Sequence, residues 1–275
     1  GRAAGMDRTG TEQLRQKRRR ETSMAHSRVT VITGAARGIG LGIAECFAAE
    51  KATVVIADID KTAAQEAAEI LPDRGSPAAA GIECDVADRD SVEKMVGRTV
   101  DMYGRIDVLI NNAGICQFIE IMDMTPEQWQ RTLDINLTGA FHCTQITAQH
   151  MIGQGNGGRI IFITSLSENV TSSSQVDYGA SKAGMRMTMR GFAAALGPHG
   201  ITCNAIAPGM ILTEMTRHHW EKPEPAEFIK KRVPAGRIGL PQDIGNAAVF
   251  LASPEAEYVS GITLRVDGGH QAVCA

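Results

Sequence analysis

No uninterrupted apolar run in the 275 residues approaches the roughly 20 residues that a membrane-spanning helix needs. Charge of one sign is also missing: the formal balance is -3, so no general field draws the chain to nucleic acid or to an anionic membrane. The six cysteines, Cys46, Cys84, Cys116, Cys143, Cys203 and Cys274, are scattered without a Cys-x-x-Cys pair, and no histidines stand at metal-ligand spacing. That argues against a structural metal and for a reducing, cytoplasmic setting in which buried thiols act as small hydrophobes. His218-His219 has no third ligand pattern beside it and reads as a solvated loop. Internal repeats, low-complexity tracts and an internal linker are absent as well.

What remains is an ordinary globular composition, 43% hydrophobic and 21% charged, enough for a sizeable core. The length exceeds the usual single-domain mode, but one large sheet covered by helices on both faces can use it as a single domain. Only Gly1 to Ser27 reads differently. It is polar, carries Lys17-Arg18-Arg19-Arg20, and lacks the apolar core of a secretory signal, while its acidic residues are foreign to a mitochondrial presequence. It reads as a flexible N-terminal extension ahead of a domain over 28–275, with Met24 a plausible natural start and nucleic-acid binding by the arginines a rival reading.

From Val29 onward, strand-length apolar runs alternate with helix-length segments. Val29 to Ile32, Thr53 to Ala57, Ile106 to Ile110, Arg159 to Thr164 and Thr202 to Ala207 are continuous runs, the pattern of strands buried on both faces. Ile39 to Ala49, Lys61 to Leu71, Asp90 to Tyr103, Thr125 to Ile152 and Tyr178 to Leu196 carry helical spacing between them. Such alternation predicts an α/β fold with a doubly wound parallel sheet. The segment 212–232, rich in charges and prolines, reads as an insertion placed to cover a ligand.

Two local patterns carry chemistry. The first strand runs into Thr33-Gly34-Ala35-Ala36-Arg37-Gly38-Ile39-Gly40, where glycines let backbone approach a pyrophosphate and the opening helix offers free amides and its positive end. Asp58 ends the second strand about 20 residues later, where a carboxylate would bond the adenosine ribose and repel a ribose phosphate. That favours NAD, whereas Arg37 would favour NADP; Asp58 as a plain turn residue is the alternative. The second pattern is Tyr178-Gly179-Ala180-Ser181-Lys182. On a helix this i,i+4 spacing puts a phenol and an ammonium on one face. Bringing a phenol from about 10 to neutrality is a shift of roughly three units, or about 4 kcal/mol. One unit charge about 4 Å away supplies that at an effective dielectric of about 20.

From Val29 to Gly269 the chain resembles the short-chain dehydrogenase/reductase family in its standard-length branch, a Rossmann-like fold. The matching elements are Thr33 to Gly40, Asp58, Asp85-Val86, Asn111-Asn112-Ala113-Gly114, Asn136, Ser165, Tyr178 with Lys182, Pro208-Gly209 with Thr213, and Val266 to Gly269. The resemblance implies catalytic roles for four residues. Tyr178 would be the general acid or base, Ser165 would bond the substrate oxygen, and Lys182 would lower the phenol's pKa and hold the nicotinamide ribose. Asn136 would position a relay water. It further implies that Asp85 and Val86 seat the adenine, that Asn112, Ala113 and Gly114 floor the cofactor site, and that Pro208, Gly209, Ile211 and Thr213 close over the nicotinamide and phosphates. Plainer readings stand beside these: Ser165 as a strand-ending turn serine, Asn136 as a buried asparagine bonded to backbone, Asn112 to Gly114 as a turn. Gly268 and Gly269 read as packing and subunit-contact residues.

The implied activity is interconversion of a secondary alcohol and a ketone with NAD, NADP being possible, in a homotetramer or dimer. The polar run Glu168, Asn169, Ser172 to Ser174, Gln175 and Asp177 suits a sugar, sugar acid or polyol. Reduction of 3-oxoacyl thioesters with NADPH and a non-catalytic nucleotide-binding scaffold are the alternatives.

Overall fold

A computed structural model describes residues 27–214, 216, 229 and 231–273. The N-terminal extension up to residue 26, most of the 212–232 insertion with His218-His219, and Cys274 lie outside the described residues. Seven parallel strands form one sheet in the order β3-β2-β1-β4-β5-β6-β7. They are β1 (Val29–Thr33), β2 (Thr53–Asp58), β3 (Ala79–Glu83), β4 (Val108–Asn111), β5 (Gly158–Ile163), β6 (Ile201–Pro208) and β7 (Thr263–Val266).

The continuous apolar runs are explained by burial on alternating sides. Val31, Val55, Leu109, Ile160 and Phe162 face one core, filled from the helices by Val92, Met95, Cys143, Met151, Met185 and Met189. Ile32, Ile56, Ile110, Ile161 and Ile163 face the other, filled by Ile43, Phe47, Ala64, Ile244 and Leu251. Helices α1 (Gly38–Ala49), α2 (Lys61–Glu69) and α7 (Pro241–Ala252) therefore cover the second side. Helices α3 (Arg89–Tyr103), α5 (Gly139–Gln154) and α6 (Val176–Leu196) cover the first. α4 (Pro126–Leu133) leads into α5, and α8 (His270–Val273) ends the described chain.

Two strands escaped the reading of apolar runs, and both are edges. β3 has the sequence Ala-Ala-Gly-Ile-Glu and is mostly half-buried, and β7 is half-buried or exposed throughout. A strand paired on one side only has no continuous buried run to betray it. The predicted Thr125 to Ile152 helix is also divided: between α4 and α5 the turns widen into a π segment, Asp134–Thr138.

Strand order reverses between β1 and β4, which opens a crevice at their C-terminal ends, the place where ligands bind in open α/β sheets. Among the described residues no helix is long and apolar enough to cross a membrane, and no group of three metal-binding side chains is assembled.

Candidate active site

The glycine turn and the turn after β4 interlock across that crevice. Gly34 takes φ +61°, and a Cβ there would meet Ala113 Cα at 2.6 Å; a Cβ on Gly40 would stand 2.6 Å from both Asn112 Nδ2 and Gly34 O. Asn112 Nδ2 donates to Thr33 O and Gly34 O at 2.9 and 2.8 Å. The amides of Asn112 and Ala113 both donate to Thr33 Oγ1 at 3.1 Å. Thr33 heads the glycine motif, and its hydroxyl is the pin between two chain segments nearly eighty residues apart in sequence.

Helix α1 starts from Arg37 with no side-chain cap, whereas α2, α3 and α4 are capped by Asp60, Asp88 and Thr125. Its first amides are thus left for an anion, and the glycines keep the approach clear of side chains. Asp58 Oδ2 accepts from the Ala36 amide at 3.1 Å and Oδ1 from the Asp60 amide at 3.2 Å, so its carboxylate braces the same turn. Arg37 faces Asp60 at 3.4 Å, both well exposed. Asp85 Oδ1 accepts from the Ala87 amide at 3.0 Å. Val86 is buried where Gly139 lets α5 come close. These features suit a dinucleotide: an uncapped helix start for its phosphates, a carboxylate at the end of β2 and an apolar side chain beside Asp85.

Thr213 reaches the turn from the far side, its Cγ2 lying 3.7 Å from where a Cβ on Gly38 would be. Pro208 ends β6, and the Gly209 amide donates to Val266 O at 3.0 Å. The Ile211 side chain is buried in the core with Ile32 and Ile244, which leaves its backbone to meet a ligand.

Across the crevice, α6 carries Tyr178 and Lys182 on one face, with Lys182 Nζ 5.5 Å from the Tyr178 ring centroid. Lys182 is only 4% exposed and donates to Ile163 O at 2.9 Å. Burial pulls its ammonium down to about 8. Tyr178, although one edge reaches solvent, is pushed up to about 12 by burial, which outweighs the hydrogen bond from Ser165. Burial sets this direction, and Lys182, which gives a hydrogen to Ile163 O, is not among the groups that shift the phenol.

Asn136 sits in the π segment and is wholly buried. Its Oδ1 accepts from the Ile115 amide at 2.8 Å, and Nδ2 donates to Ile115 O at 2.9 Å and Ser181 Oγ at 3.0 Å. Both amide hydrogens are used, as the plainer reading of a backbone-bonded asparagine has it. The side chain holds the β4 turn beside the lysine: a Cβ on Gly114 would stand 3.1 Å from Asn136 Oδ1 and 3.5 Å from Lys182 Nζ. A widened turn supplies the room, a common device at functional sites; nothing in the apolar spacing announces it.

Ser165 follows β5 and opens a short turn, its Oγ accepting from the Ser167 amide at 3.1 Å. Of the polar run behind it, two carboxylates are turned away from the crevice. Asp177 is fully buried and accepts from Thr132 Oγ1 at 2.6 Å, and Glu168 is buried against Arg186 at 3.6 Å.

A model described as "Enoyl-(Acyl carrier protein) reductase" matches residues 34–271. The L-rhamnose 1-dehydrogenase (NAD(P)(+)) of Azotobacter vinelandii is 42% identical over 88% of this chain and 96% of its own. Galactitol 2-dehydrogenase of Agrobacterium fabrum is 39% identical over 89% and 98%. The 3-oxoacyl-(acyl-carrier-protein) reductase of Thermotoga maritima is likewise 39% identical, over 88% and 97%. With an interlocked glycine turn, a serine, a tyrosine and a lysine about one crevice, and near full-length relatives, the chain belongs to the short-chain dehydrogenase/reductase family and is an NAD(P)-dependent oxidoreductase of alcohol and carbonyl groups.

Proposed function

We propose that this protein oxidises a secondary carbinol of a sugar, sugar acid or polyol, or reduces the matching carbonyl, with Tyr178, Ser165 and Lys182 as the catalytic group. The observation that carries the catalytic part is their convergence beside the crevice at the C-terminal ends of β1 and β4, opposite an uncapped glycine turn. Bound at that turn, the nicotinamide coenzyme supplies the exchange of a hydride with the substrate carbon. The protein's own work is proton transfer and alignment. Tyr178, held neutral well above pH 7, gives its phenolic proton to the carbonyl oxygen in reduction; in oxidation it must first release that proton to solvent, and the phenolate then takes the proton of the hydroxyl. Ser165 donates to the same oxygen as charge develops on it. Lys182 presents a cation next to the phenol, and Asn136 keeps Gly114 and Ile115 against it.

The coenzyme-seating residues are Gly34, Arg37, Gly38, Ile39, Gly40, Asp58, Asp85, Val86, Asn112, Ala113 and Gly114, with Pro208, Gly209, Thr213 and the Ile211 backbone above. Asp58 at the end of β2 favours NAD over NADP. The polyol reading draws on the remaining polar residues before α6 and on the sugar and alditol named for two relatives. L-Rhamnose and galactitol carry hydroxyls on neighbouring carbons. The body from residue 28 is read as one catalytic domain, acting in the cytoplasm as a dimer or tetramer.

Reduction of 3-oxoacyl thioesters with NADPH is the second reading, favoured by the exposed Arg37 guanidinium and by one relative's name. A screen of polyols, sugars, hydroxy acids, hydroxysteroids and an acyl thioester with both coenzymes separates them. Polyol or sugar oxidation in excess of thioester reduction is expected; turnover of apolar ketones, steroids or thioesters alone would refute the proposal.

A further inference from the structure

Gln175 precedes the first residue of α6 as its N-cap and stands three residues before Tyr178. Its carboxamide crosses to the loop after β4, where Nε2 donates to Cys116 Sγ at 3.0 Å, while Oε1 accepts from the Ser172 hydroxyl at 3.4 Å. Cys116 in turn lies near enough to act electrostatically on both Tyr178 and Lys182. The amide therefore ends on a thiol whose field reaches the proton-transfer pair.

Neither of its partners is a good one. A thiol is a weak acceptor and 3.4 Å is long for a bond between oxygens. Nor is the bond to Cys116 needed to join the two loops, because the Ile119 and Ile121 amides already donate to Ser174 O and Ser173 O, each at 3.0 Å. A half-buried carboxamide so placed trades up readily when an alcohol hydroxyl, both donor and acceptor, comes within reach. The other polar candidates are committed elsewhere: Asp177 to Thr132, Glu168 to Arg186, and Ser172 with Ser174 to each other at 3.3 Å on an exposed turn.

We propose that Gln175 binds the hydroxyl on the carbon next to the reacting carbinol, so that the enzyme selects vicinal diols over lone alcohols. This rests on the polyol reading above and adds to it the residue and the hydroxyl. Two variants separate recognition from bracing. Gln175→Met keeps the length of the side chain and removes its polar atoms, and Cys116→Ala removes the thiol and leaves the amide to the substrate.

The measurement is kcat/KM on a vicinal diol such as 2,3-butanediol and on 2-butanol, with thermal melts of each protein. Gln175→Met is expected to lower the diol-to-monoalcohol ratio by roughly ten- to a hundredfold, mainly through KM, and Cys116→Ala to leave that ratio at or above the native one. Gln175→Asn, which keeps the amide but draws it back, gives the same readout should the methionine variant fail to fold. Equal losses on both substrates, or the same losses in the cysteine variant, would make Gln175 a loop strap and overturn the inference alone. A native enzyme without preference for any diol overturns the polyol reading and this inference together.

Discussion

Lys182→Met tests the electrostatics of the crevice without any substrate. The native ammonium is 4% exposed and its pKa is drawn from 10.5 to about 8. At about 1.36 kcal/mol per unit that depression corresponds to a few kcal/mol, the stability that the charged form withholds from the fold. Below pH 8 the lysine is protonated in both states and the whole penalty applies. Between about pH 8 and 10.5 the folded protein has released a proton that the unfolded chain still holds, so stability rises with pH. From pH 7 to 9.5 the native protein should thus gain about 2 kcal/mol relative to the variant. Other groups titrate in that window, but they do so in both proteins and cancel in the difference. Tyr178, shifted upward, sheds stability only above its ordinary range near pH 10. Urea unfolding of the two proteins at both pH values, with matching m-values, measures the effect. Parallel stability curves would mean that Lys182 titrates as an ordinary surface lysine, and the account of its burial would fail.

Tyr178→Phe should reduce turnover by roughly a hundredfold to ten-thousandfold with an unchanged melting temperature, and full activity in a steady-state assay would refute the proton-transfer role. Gly40→Ala places a methyl 2.6 Å from Asn112 Nδ2 and Gly34 O; coenzyme titration should show weakened binding and calorimetry a loss of about 1–3 kcal/mol, and a native-like melt with native affinity would contradict the interlocked turn. Removing three buried bonds with Asn136→Ala should cost about 2–4 kcal/mol in chemical denaturation, whereas a neutral effect would show the β4 turn to be held by other contacts. Asp58→Ala should raise the KM for NAD and narrow its advantage over NADP in initial-rate kinetics; an unaltered ratio would remove Asp58 as the selecting residue.

The doubly wound sheet was legible because its central strands are buried on both faces, and five continuous apolar runs follow from that burial alone. The edge strands β3 and β7 were not, since half the constraint is missing there. Chemistry was legible where a short spacing maps onto one turn of helix, as with Tyr178 and Lys182. It was also legible where backbone must run without a side chain, as at Gly34 and Gly40. The polar run before α6 illustrates the opposite case. Glu168, Gln175 and Asp177 look alike in a linear chain, yet two are buried against Arg186 and Thr132 and one reaches across to Cys116 on the loop after β4, a distinction set by partners that lie far along the chain.

Residue types and local periods were enough for the fold class and for the shared helix face of Tyr178 and Lys182, because each depends on neighbours within about one turn or one strand. Packing alone decided the signs of the pKa shifts, the π turn that seats Asn136, the pin formed by Thr33 and the inward course of Ile211. Each arises from segments brought together by the tertiary fold, where desolvation and a few long-range hydrogen bonds outweigh local preference.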